Sequence, residues 1–586
     1  MGTAMTEQPK DYKQQIDDLL SHYEDGRDIF KKADDWTYPA VLKPGSEGKG
    51  LPETWLGVAD AVIGIIAREK YGLDTYRNKI EIITADQMLD AYASVGMPVS
   101  YDHWSFGKSR SQEGEAYKKG KMGLAYEIVI NTNPAIAYCM EENTKTMQML
   151  VIAHASYGHN SFFKGNHLFR QFTEAEQIIQ DLKVLKELIS DCEQKYGVDE
   201  VEKLIDSCHA LKSHGVDRFT RQARRTPEEE RKRRDIADEF KRQNYDHILD
   251  KTAGALDSNK SGVARSFYES SQPEEEENLL MYIAGNAPHL ARWQREIISR
   301  ISGVEQYFYP QKQTQVMNEG WATFWHHTIL NDLYHEHDLI DAGMTMEFLA
   351  SHTNVVAQRG FERVGPNFNP YALGFAMYTD IKRICEDPTD EDREWFPGFA
   401  GNPDWVSVLK DAMTGHKDES FIQQYLSPKV MRDFKLFLLT DDDKESTMEI
   451  GAIHDDDGYK ILRRELAAQY NLGNREPRIE VGHYNRKSDR NIFLFHTMHN
   501  RRPLEENNMQ EVLKHFYRLW SGGGDRTGGH RVILHSIDQK GEPVNTLVCP
   551  PMPKGTDLRK ALPIIFSGSQ SLVKCGAIIR NDNQPS

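Results

Sequence analysis

Two histidines and a distant glutamate are the side chains of this sequence best suited to chemistry. His154 and His159 lie in the segment VIAHASYGHNSFFKGN, and Glu319 lies in MNEGWATFWHH. Two imidazoles and one carboxylate leave a fourth coordination position open for water, which is the arrangement of a catalytic zinc ion. We therefore predict that His154, His159 and Glu319 bind a divalent metal ion such as zinc.

The elements around these residues resemble parts of the zincin metallopeptidases. A helix with His154 and His159, preceded by the predicted strand YEIVINTNP, is similar to a zincin ligand helix beside its edge strand. The segment Asn318–Ala322 is similar to the helix that gives gluzincin aminopeptidases their glutamate ligand. Zincin histidines are four residues apart, however, and a glutamate that acts as the general base follows the first of them. In this chain Ala155 occupies the position of the base.

The spacing of the two histidines has a geometric consequence. His154 and His159 are five residues apart, and in a regular α-helix this separation turns their side chains roughly 140° away from each other. A π-bulge at Gly158 would bring the two rings closer, and such bulges are frequent at functional sites. The predicted metal site therefore requires a distorted helix.

Three other residues are predicted to be catalytic, because Ala155 cannot move a proton. His103 lies in the aromatic-rich segment YDHWSFGK, Glu127 lies in the predicted edge strand, and His326 follows Glu319 by seven residues on nearly the same helical face. Taken singly, such a residue is more often a hydrogen-bonded structural group. Buried polar groups destabilise a fold unless they are paired, so their concentration in apolar segments indicates a site.

The hydrophobic periodicity predicts an α+β protein with two domains. Residues 1–430 are expected to form a large, mostly helical domain that contains the small zincin-like strand and helix. Within it, residues 168–275 carry charged helical patterns and are expected to be an insert or a connector. Residues 431–586 contain five predicted strands and two helices, in an order that predicts a small domain of two βαβ-like units.

The composition excludes several classes of protein. The chain has 586 residues and a formal net charge of −17, so nucleic acid is not an expected partner. Its six cysteines include no Cys-x-x-Cys pair, which is typical of reduced thiols in a cytosol. The N-terminus has no secretory apolar segment, and no apolar run approaches the ~20 residues of a membrane span. We therefore expect a cytoplasmic protein.

Several long motifs together resemble one family. They are HWSFGK, YEIVINTNP, VIAHASYGHNSFFKGN, YFYPQKQTQVMNEGWATFWHH and NPYALGF. In this order they are similar to the SpoVR family, named for stage V sporulation protein R, and to its YcgB-like branch. The resemblance implies a bacterial cytoplasmic protein of sporulation, stress or stationary-phase physiology. It also implies a PrkA-type serine kinase and a YeaH-type protein as partners, and it assigns no catalytic residue.

Two functions remain open on the sequence alone. The first is a metal-dependent, zincin-like hydrolase that acts on a peptide or on an amide of a cell-wall precursor, with a base other than Ala155. The second is a non-catalytic adaptor of the kinase system, built on a degenerate zincin-like scaffold. Metal binding and partner binding are the properties that separate them.

Overall fold

The chain folds into two compact units. A computed structural model describes residues 11–94, 97–118, 127–218, 277–358, 368–436, 438–440, 449–452, 455–484, 491–499, 502–522, 530–538 and 543–550. The first unit comprises Met1–Lys195 and Gln306–Arg475, and the second comprises Tyr196–Glu305 and Glu476–Ser586. The division into residues 1–430 and 431–586 stays a prediction.

The first unit is mostly helical, as expected. Its N-terminal segment holds the helices Tyr12–Ser21, Ile29–Lys32, Trp55–Ile65, Ala85–Ala93, Trp104–Lys118, Lys145–Val151, Asn160–Gly165, His167–Phe172 and Ile178–Tyr196, the 3-10 turn Gly26–Asp28, and the π-helical segments Ile66–Lys70 and Ile152–His159. Its second segment holds the helices Gln315–His335, Ala342–Val355, Pro370–Glu386, Asp390–Trp395, Trp405–Gly415, Asp418–Tyr425, Pro428–Asp433, Asp456–Gln469 and Leu472–Arg475. The helix predicted to carry His154 and His159 is present, as Lys145–Val151 followed directly by Ile152–His159.

The helix Gln315–His335 belongs to the core of the first unit. Apolar residues occur on all of its sides, and its side chains Trp321 and Trp325 are fully buried. A helix that is apolar all round is stable only inside a protein. The Asp418 carboxylate accepts hydrogen bonds from two backbone amides at the start of this helix, at 3.0 and 2.9 Å, and so satisfies two donors that the helix leaves open. The helix therefore holds Glu319 on a rigid element.

A three-stranded mixed sheet accompanies these helices. It consists of β1 (Asn78–Ile83), β2 (Glu127–Ile130) and β3 (Ala135–Met140) in the order β1-β3-β2. β1 is parallel to β3, whereas β2 is antiparallel to β3 and forms an edge. The predicted strand YEIVINTNP is therefore confirmed over four residues, and the prediction that Glu127 lies on an edge strand is confirmed with it.

The second unit combines helices with a four-stranded mixed sheet. The helices are Val198–Ala210, Leu279–Asn286 and Glu506–Ser521, with a 3-10 turn at Lys212–His214, and Arg292–Gln313 begins in this unit. The sheet has the order β6 (Arg478–Tyr484), β7 (Ile492–Thr497), β8 (Val532–Ile537) and β9 (Pro543–Cys549). Only β7 and β8 are parallel.

The C-terminal region differs from the expected pair of βαβ-like units. The short strands β4 (Leu438–Thr440) and β5 (Glu449–Ala452) pair only with each other among the described residues, and the helix Asp456–Gln469 belongs to the first unit. One βαβ connection is present, β7 to β8 through the helix Glu506–Ser521. Strand order along the chain did not reveal that β5 and β6 belong to separate sheets.

Two other expectations concern long segments of the chain. Of the charged region 168–275, the helices Ile178–Tyr196 and Val198–Ala210 are present, whereas the basic and acidic run RQARRTPEEERKRRDIADEFKRQ lies outside the described residues. No helix in the described part of the chain combines the length and the apolar character needed to cross a bilayer.

Candidate metal centre

The two predicted histidine ligands lie on a π-helix. The preceding helix Lys145–Val151 is capped by the Thr144 hydroxyl, and π-helical hydrogen bonding then extends from Ile152 to His159. A π-helix closes its hydrogen bonds between residues five apart, so residues at this spacing lie nearly above one another. The imidazole centroids of His154 and His159 are accordingly 4.6 Å apart. The predicted distortion is confirmed, and it covers eight residues rather than one bulge at Gly158.

Glycines allow the helices of this site to approach closely. A Cβ atom on Gly158 would lie 2.6 Å from the Cα atom of Ala322, in the helix that carries Glu319. A Cβ atom on Gly320 would lie 2.4 Å from the backbone of Gly374. Because both distances are below van der Waals contact, these positions admit no side chain without a shift of the backbone. Backbone packing thus sets the distance between the histidines and the glutamate.

The three predicted ligands converge on one point. Oε2 of Glu319 lies 3.4 Å from Nε2 of His159 and 3.9 Å from Nε2 of His154. One potential ligand atom from each residue lies within 4.8 Å of the other two. Ligands at the zinc bond lengths of 2.0–2.2 Å are about 3.3–3.6 Å apart in a tetrahedron, so small side-chain adjustments would fit these residues to the ion.

The surroundings of Glu319 and the histidines also fit a cation. Oε2 of Glu319 is buried and makes no hydrogen bond of ordinary geometry among the described residues, its nearest imidazole nitrogen being Nε2 of His159 at 3.4 Å. The residues His154 and His159 are 3% and 6% exposed. A buried carboxylate oxygen without a partner is costly, and a bound cation would satisfy it. The donor set of two imidazoles and one carboxylate is one that zinc accepts.

Each histidine has a partner on its other ring nitrogen. Nδ1 of His159 lies 2.9 Å from Oδ1 of Asn318, which can only accept, so Nδ1 carries a proton and Nε2 is left to bind a metal. Nδ1 of His154 lies 2.9 Å from Nδ1 of His326. Such outer partners orient the imidazole ligands of metal sites. The helix Gln315–His335 thus provides one predicted ligand and a partner for each of the other two predicted ligands.

The electrostatics of the site differ between its two imidazoles. Burial lowers the pKa of His154 well below its ordinary value, and the neighbouring His159 lowers it further. Burial also opposes the charge of His159, but Glu319 and the hydrogen bond with Asn318 outweigh burial and raise the pKa of His159. Burial raises the pKa of Glu127 to about 7, and the charge of Glu319 adds to this effect.

The three predicted catalytic residues differ in their contacts. Oε1 of Glu127, on β2, lies 3.7 Å from Nε2 of His154, on the same side as Glu319. His326 contacts the opposite edge of the His154 ring. His103 hydrogen-bonds Ser105 at 2.7 Å and packs against aromatic neighbours in its own segment, and these contacts do not connect it with the three ligands.

Three residues of the site were not predicted from the sequence motifs. Asn318 precedes Glu319 directly, and its position beside a predicted ligand could have suggested its role. Tyr371 lies in the motif NPYALGF, and the charge of Glu319, together with burial, raises the pKa of its phenol. His352 lies 3.0 Å from Nε2 of His326, and no local pattern indicated it.

Comparisons with known proteins agree on one family. The model of the family described as SpoVR like protein matches residues 54–475, and that of the SpoVR-like C-terminal domain matches residues 477–539. A relative in Escherichia coli (strain K12), described as "Uncharacterized protein YcgB", is 50% identical over 503 residues, which are 85% of this chain and 96% of that protein. No solved structure matches the chain. The matches cover most of both compact units, and the chain therefore belongs to the SpoVR-like protein family.

Proposed function

We propose that this chain is a metal-dependent hydrolase that cleaves an amide bond in a peptide or a cell-wall precursor. Its metal ligands in this proposal are His154, His159 and Glu319. The observation that carries the proposal is the convergence of the buried Oε2 atom of Glu319 with two imidazole nitrogens, which lie 3.4 and 3.9 Å from it. The antiparallel edge strand β2, which carries Glu127, supports the zincin-like comparison.

A divalent cation at this point would polarise the substrate carbonyl and lower the pKa of bound water. The side chain of Glu127 would act as the general base, because its carboxylate lies 3.7 Å from a predicted ligand and faces the same point. The Oε1 atom of Glu127 would accept a proton from the attacking water and return it to the leaving amine. In this scheme Glu127 replaces the glutamate that Ala155 cannot supply, His326 contacts the opposite edge of the His154 ring, and His103 has no assigned role.

Metal analysis of the full chain, purified without an affinity tag, tests the metal site. We expect close to one equivalent of zinc or another divalent ion. Removal of the ion and addition of zinc at 100 times its Kd should raise the free energy of unfolding by about 2.7 kcal/mol. His159→Ala and Glu319→Gln should not be stabilised by zinc. The control His167→Ala should still be stabilised, because His167 hydrogen-bonds the backbone of Thr414 and is not a predicted ligand. A metal-free protein that cannot be loaded refutes the proposal.

The variant Glu127→Gln separates a catalytic metal from a structural one. It should retain the zinc response, because Glu127 is not one of the three grouped ligands. It should lose the release of free amine from peptide and amide substrates that the wild-type protein cleaves. Equal amine release by both proteins would show that Glu127 is not the base.

The alternative is a non-catalytic adaptor on the same scaffold, and the alanine at position 155 favours it. This version of the proposal has a PrkA-type serine kinase and a YeaH-type protein as partners. It places the chain in the cytoplasm and in sporulation or stress physiology, as the family resemblance implies. Co-purification of the kinase with both wild type and His159→Ala, without amine release by either, would support the adaptor over the hydrolase.

A further inference from the structure

Two histidines of the second unit form a pair that is separate from the candidate metal centre. Nε2 of His289 lies 3.1 Å from Nε2 of His530, and the centroids of the two rings are 5.2 Å apart. His289 lies between the helices Leu279–Asn286 and Arg292–Gln313, whereas His530 lies just before the strand β8. The fold of this unit thus brings together two imidazoles that are 241 residues apart in the sequence.

The backbone beside each histidine of the pair is fixed by hydrogen bonds and close packing. The guanidinium of Arg295 donates to three backbone carbonyl groups between residues 284 and 290, and so braces the segment that contains His289. A Cβ atom on Gly522 would lie 2.6 Å from the carbonyl oxygen of His289, so a second segment packs directly on this residue. The backbone amide that follows His530 donates to Oδ1 of Asn491 at 2.8 Å. Both imidazoles are therefore attached to rigid positions, as a binding site requires.

The distance between the two nitrogens is suitable for two ligands of one ion. Nitrogen ligands at about 2.0–2.1 Å from a metal are about 3.3–3.4 Å apart at the tetrahedral angle and about 2.8–3.0 Å apart at a right angle. The observed distance of 3.1 Å lies between these values, so small rotations of the rings would direct both nitrogens at an ion. A neutral imidazole carries its proton on either nitrogen, so the ring that donates in the present contact can also offer Nε2 as a ligand.

The surroundings of the pair determine which kind of ion it can hold. His289 is exposed and His530 is half-buried, so an ion can reach them from solvent. Within the described ranges, no third His, Cys, Asp or Glu side chain completes a three-ligand group with them. Water can fill the remaining positions, and an ion held in this way exchanges readily. Imidazole nitrogens suit zinc, nickel and copper, whereas magnesium and calcium prefer oxygen ligands.

We propose that His289 and His530 form a second metal site, which binds an exchangeable divalent transition-metal ion and links the start of the helix Arg292–Gln313 to the start of β8. The site goes beyond the proposed function, because it shares no ligand with the candidate metal centre and lies in the other compact unit. Two protein ligands hold an ion more weakly than three, so zinc concentrations that saturate the candidate metal centre do not fill this pair. Nickel and copper, which bind nitrogen ligands tightly, are the ions best suited to detect it.

Calorimetric titration of the full chain with nickel(II) chloride tests the second metal site. The parent proteins are His159→Ala and Glu319→Gln, each of which lacks one predicted ligand of the candidate metal centre. Using two parents keeps the test valid if one of them does not fold. We expect each parent to bind nickel, and a parent that folds and binds no nickel would overturn the proposal. That result would leave the proposed function intact, because the proposed function is tested by zinc binding to the wild-type chain.

Glutamine variants of the pair, made in the same parents, test which residues hold the nickel. His289→Gln and His530→Gln each keep a polar side chain and remove one imidazole. Each should weaken nickel binding at least ~10-fold, because even the loss of an outer partner of a metal ligand costs about 10–100-fold. The control His22→Gln removes a histidine that contacts Ser46 instead, and it should keep the affinity of the parent. Unchanged affinity in either variant of the pair would show that the nickel binds elsewhere.

Electron paramagnetic resonance of bound copper(II) counts the imidazoles directly. With one equivalent of copper, the spin-echo modulation of each parent should contain the remote nitrogens of two imidazoles, and His289→Gln or His530→Gln should remove one of them. A general loss of stability would not change this count in a folded protein. Modulation from a single imidazole in the parents would show that the two rings form an ordinary hydrogen bond and do not chelate an ion.

Discussion

Replacing Gly158 with alanine tests whether backbone packing sets the geometry of the candidate metal centre. The new Cβ atom would lie 2.6 Å from the Cα atom and 2.9 Å from the Cβ atom of Ala322. Carbon atoms in contact are normally about 3.5–4.0 Å apart, so the π-helix and its neighbour must separate by about 1 Å. Neither helix can avoid this by a side-chain rotation, because the closest atom belongs to the backbone.

The size of the effect follows from two opposing contributions. Inserting a methyl group into a well-packed core costs about 1–3 kcal/mol, and replacing a glycine within a helix by alanine returns about 0.5–1 kcal/mol. We therefore expect the free energy of unfolding of Gly158→Ala to fall by up to about 2.5 kcal/mol. The same shift would lengthen the distance of 3.4 Å between Nε2 of His159 and Oε2 of Glu319 by about 1 Å. This exceeds the ~0.2 Å tolerance of metal–ligand distances, so zinc affinity should fall at least ~10-fold.

Urea unfolding and chelator competition measure the two quantities on the same protein. The control is Gly303→Ala, in the helix Arg292–Gln313, because a Cβ atom there meets no atom within 4 Å. This control should be stabilised by about 0.4–1 kcal/mol and should keep its zinc affinity. Gly158→Ala with wild-type stability and wild-type zinc affinity would show that the two helices do not constrain the site.

Buried polar groups near the site give three further predictions. Burial raises the pKa of Asp418 from its ordinary value of 3.8 to about 7, so the folded chain retains a proton that the unfolded chain has lost. The free energy of unfolding should therefore fall by up to about 1.4 kcal/mol per pH unit as the pH rises from about 4 to about 7. In urea titrations, Asp418→Asn should show a smaller dependence on pH. Asp418→Ala leaves two buried backbone amides unpaired and should lower the free energy of unfolding by about 2–6 kcal/mol. The control Asp404→Ala, at an exposed helix start, should lower it by about 0.5–2 kcal/mol. Equal losses in the two variants would show that Asp418 is no more important than an ordinary helix cap. Tyr157→Phe removes a hydroxyl that donates to Asp60 at 2.9 Å and should destabilise the chain by about 1–3 kcal/mol, so an unchanged urea midpoint would contradict this contact.

The sequence indicated which residues converge at the candidate metal centre because they occur in short, unusual segments. His154 and His159 lie in an apolar helix where polar residues are costly, and Glu319 lies in an equally apolar one. The five-residue spacing predicted a distorted helix, and the structure contains one. Local patterns of this kind are visible without any knowledge of the fold.

The contacts between distant segments could not be predicted in the same way. His352 contacts His326 because two helices pack side by side, and nothing near His352 in the sequence indicates that packing. The strand β3 was not predicted, because it is buried along its whole length and its sequence shows no alternation of apolar and polar residues. The pairing of β4 with β5, separate from the other described strands, likewise depends on tertiary structure, which strand order does not reveal.

The π-helix determines how many residues the chain can accommodate between Ile152 and His159. Each residue turns a regular α-helix by about 100°, so one inserted residue would rotate everything after it away from its packing partners. The wider turns between Ile152 and His159 absorb such a residue locally and leave Asn160–Gly165 in register with its neighbours. Deleting Ala155 would place His154 and His159 four residues apart. At this spacing an undistorted helix presents both rings on one face. The segment is therefore a natural place to shorten the chain by one residue and to test whether a regular helix can bring the two imidazoles together.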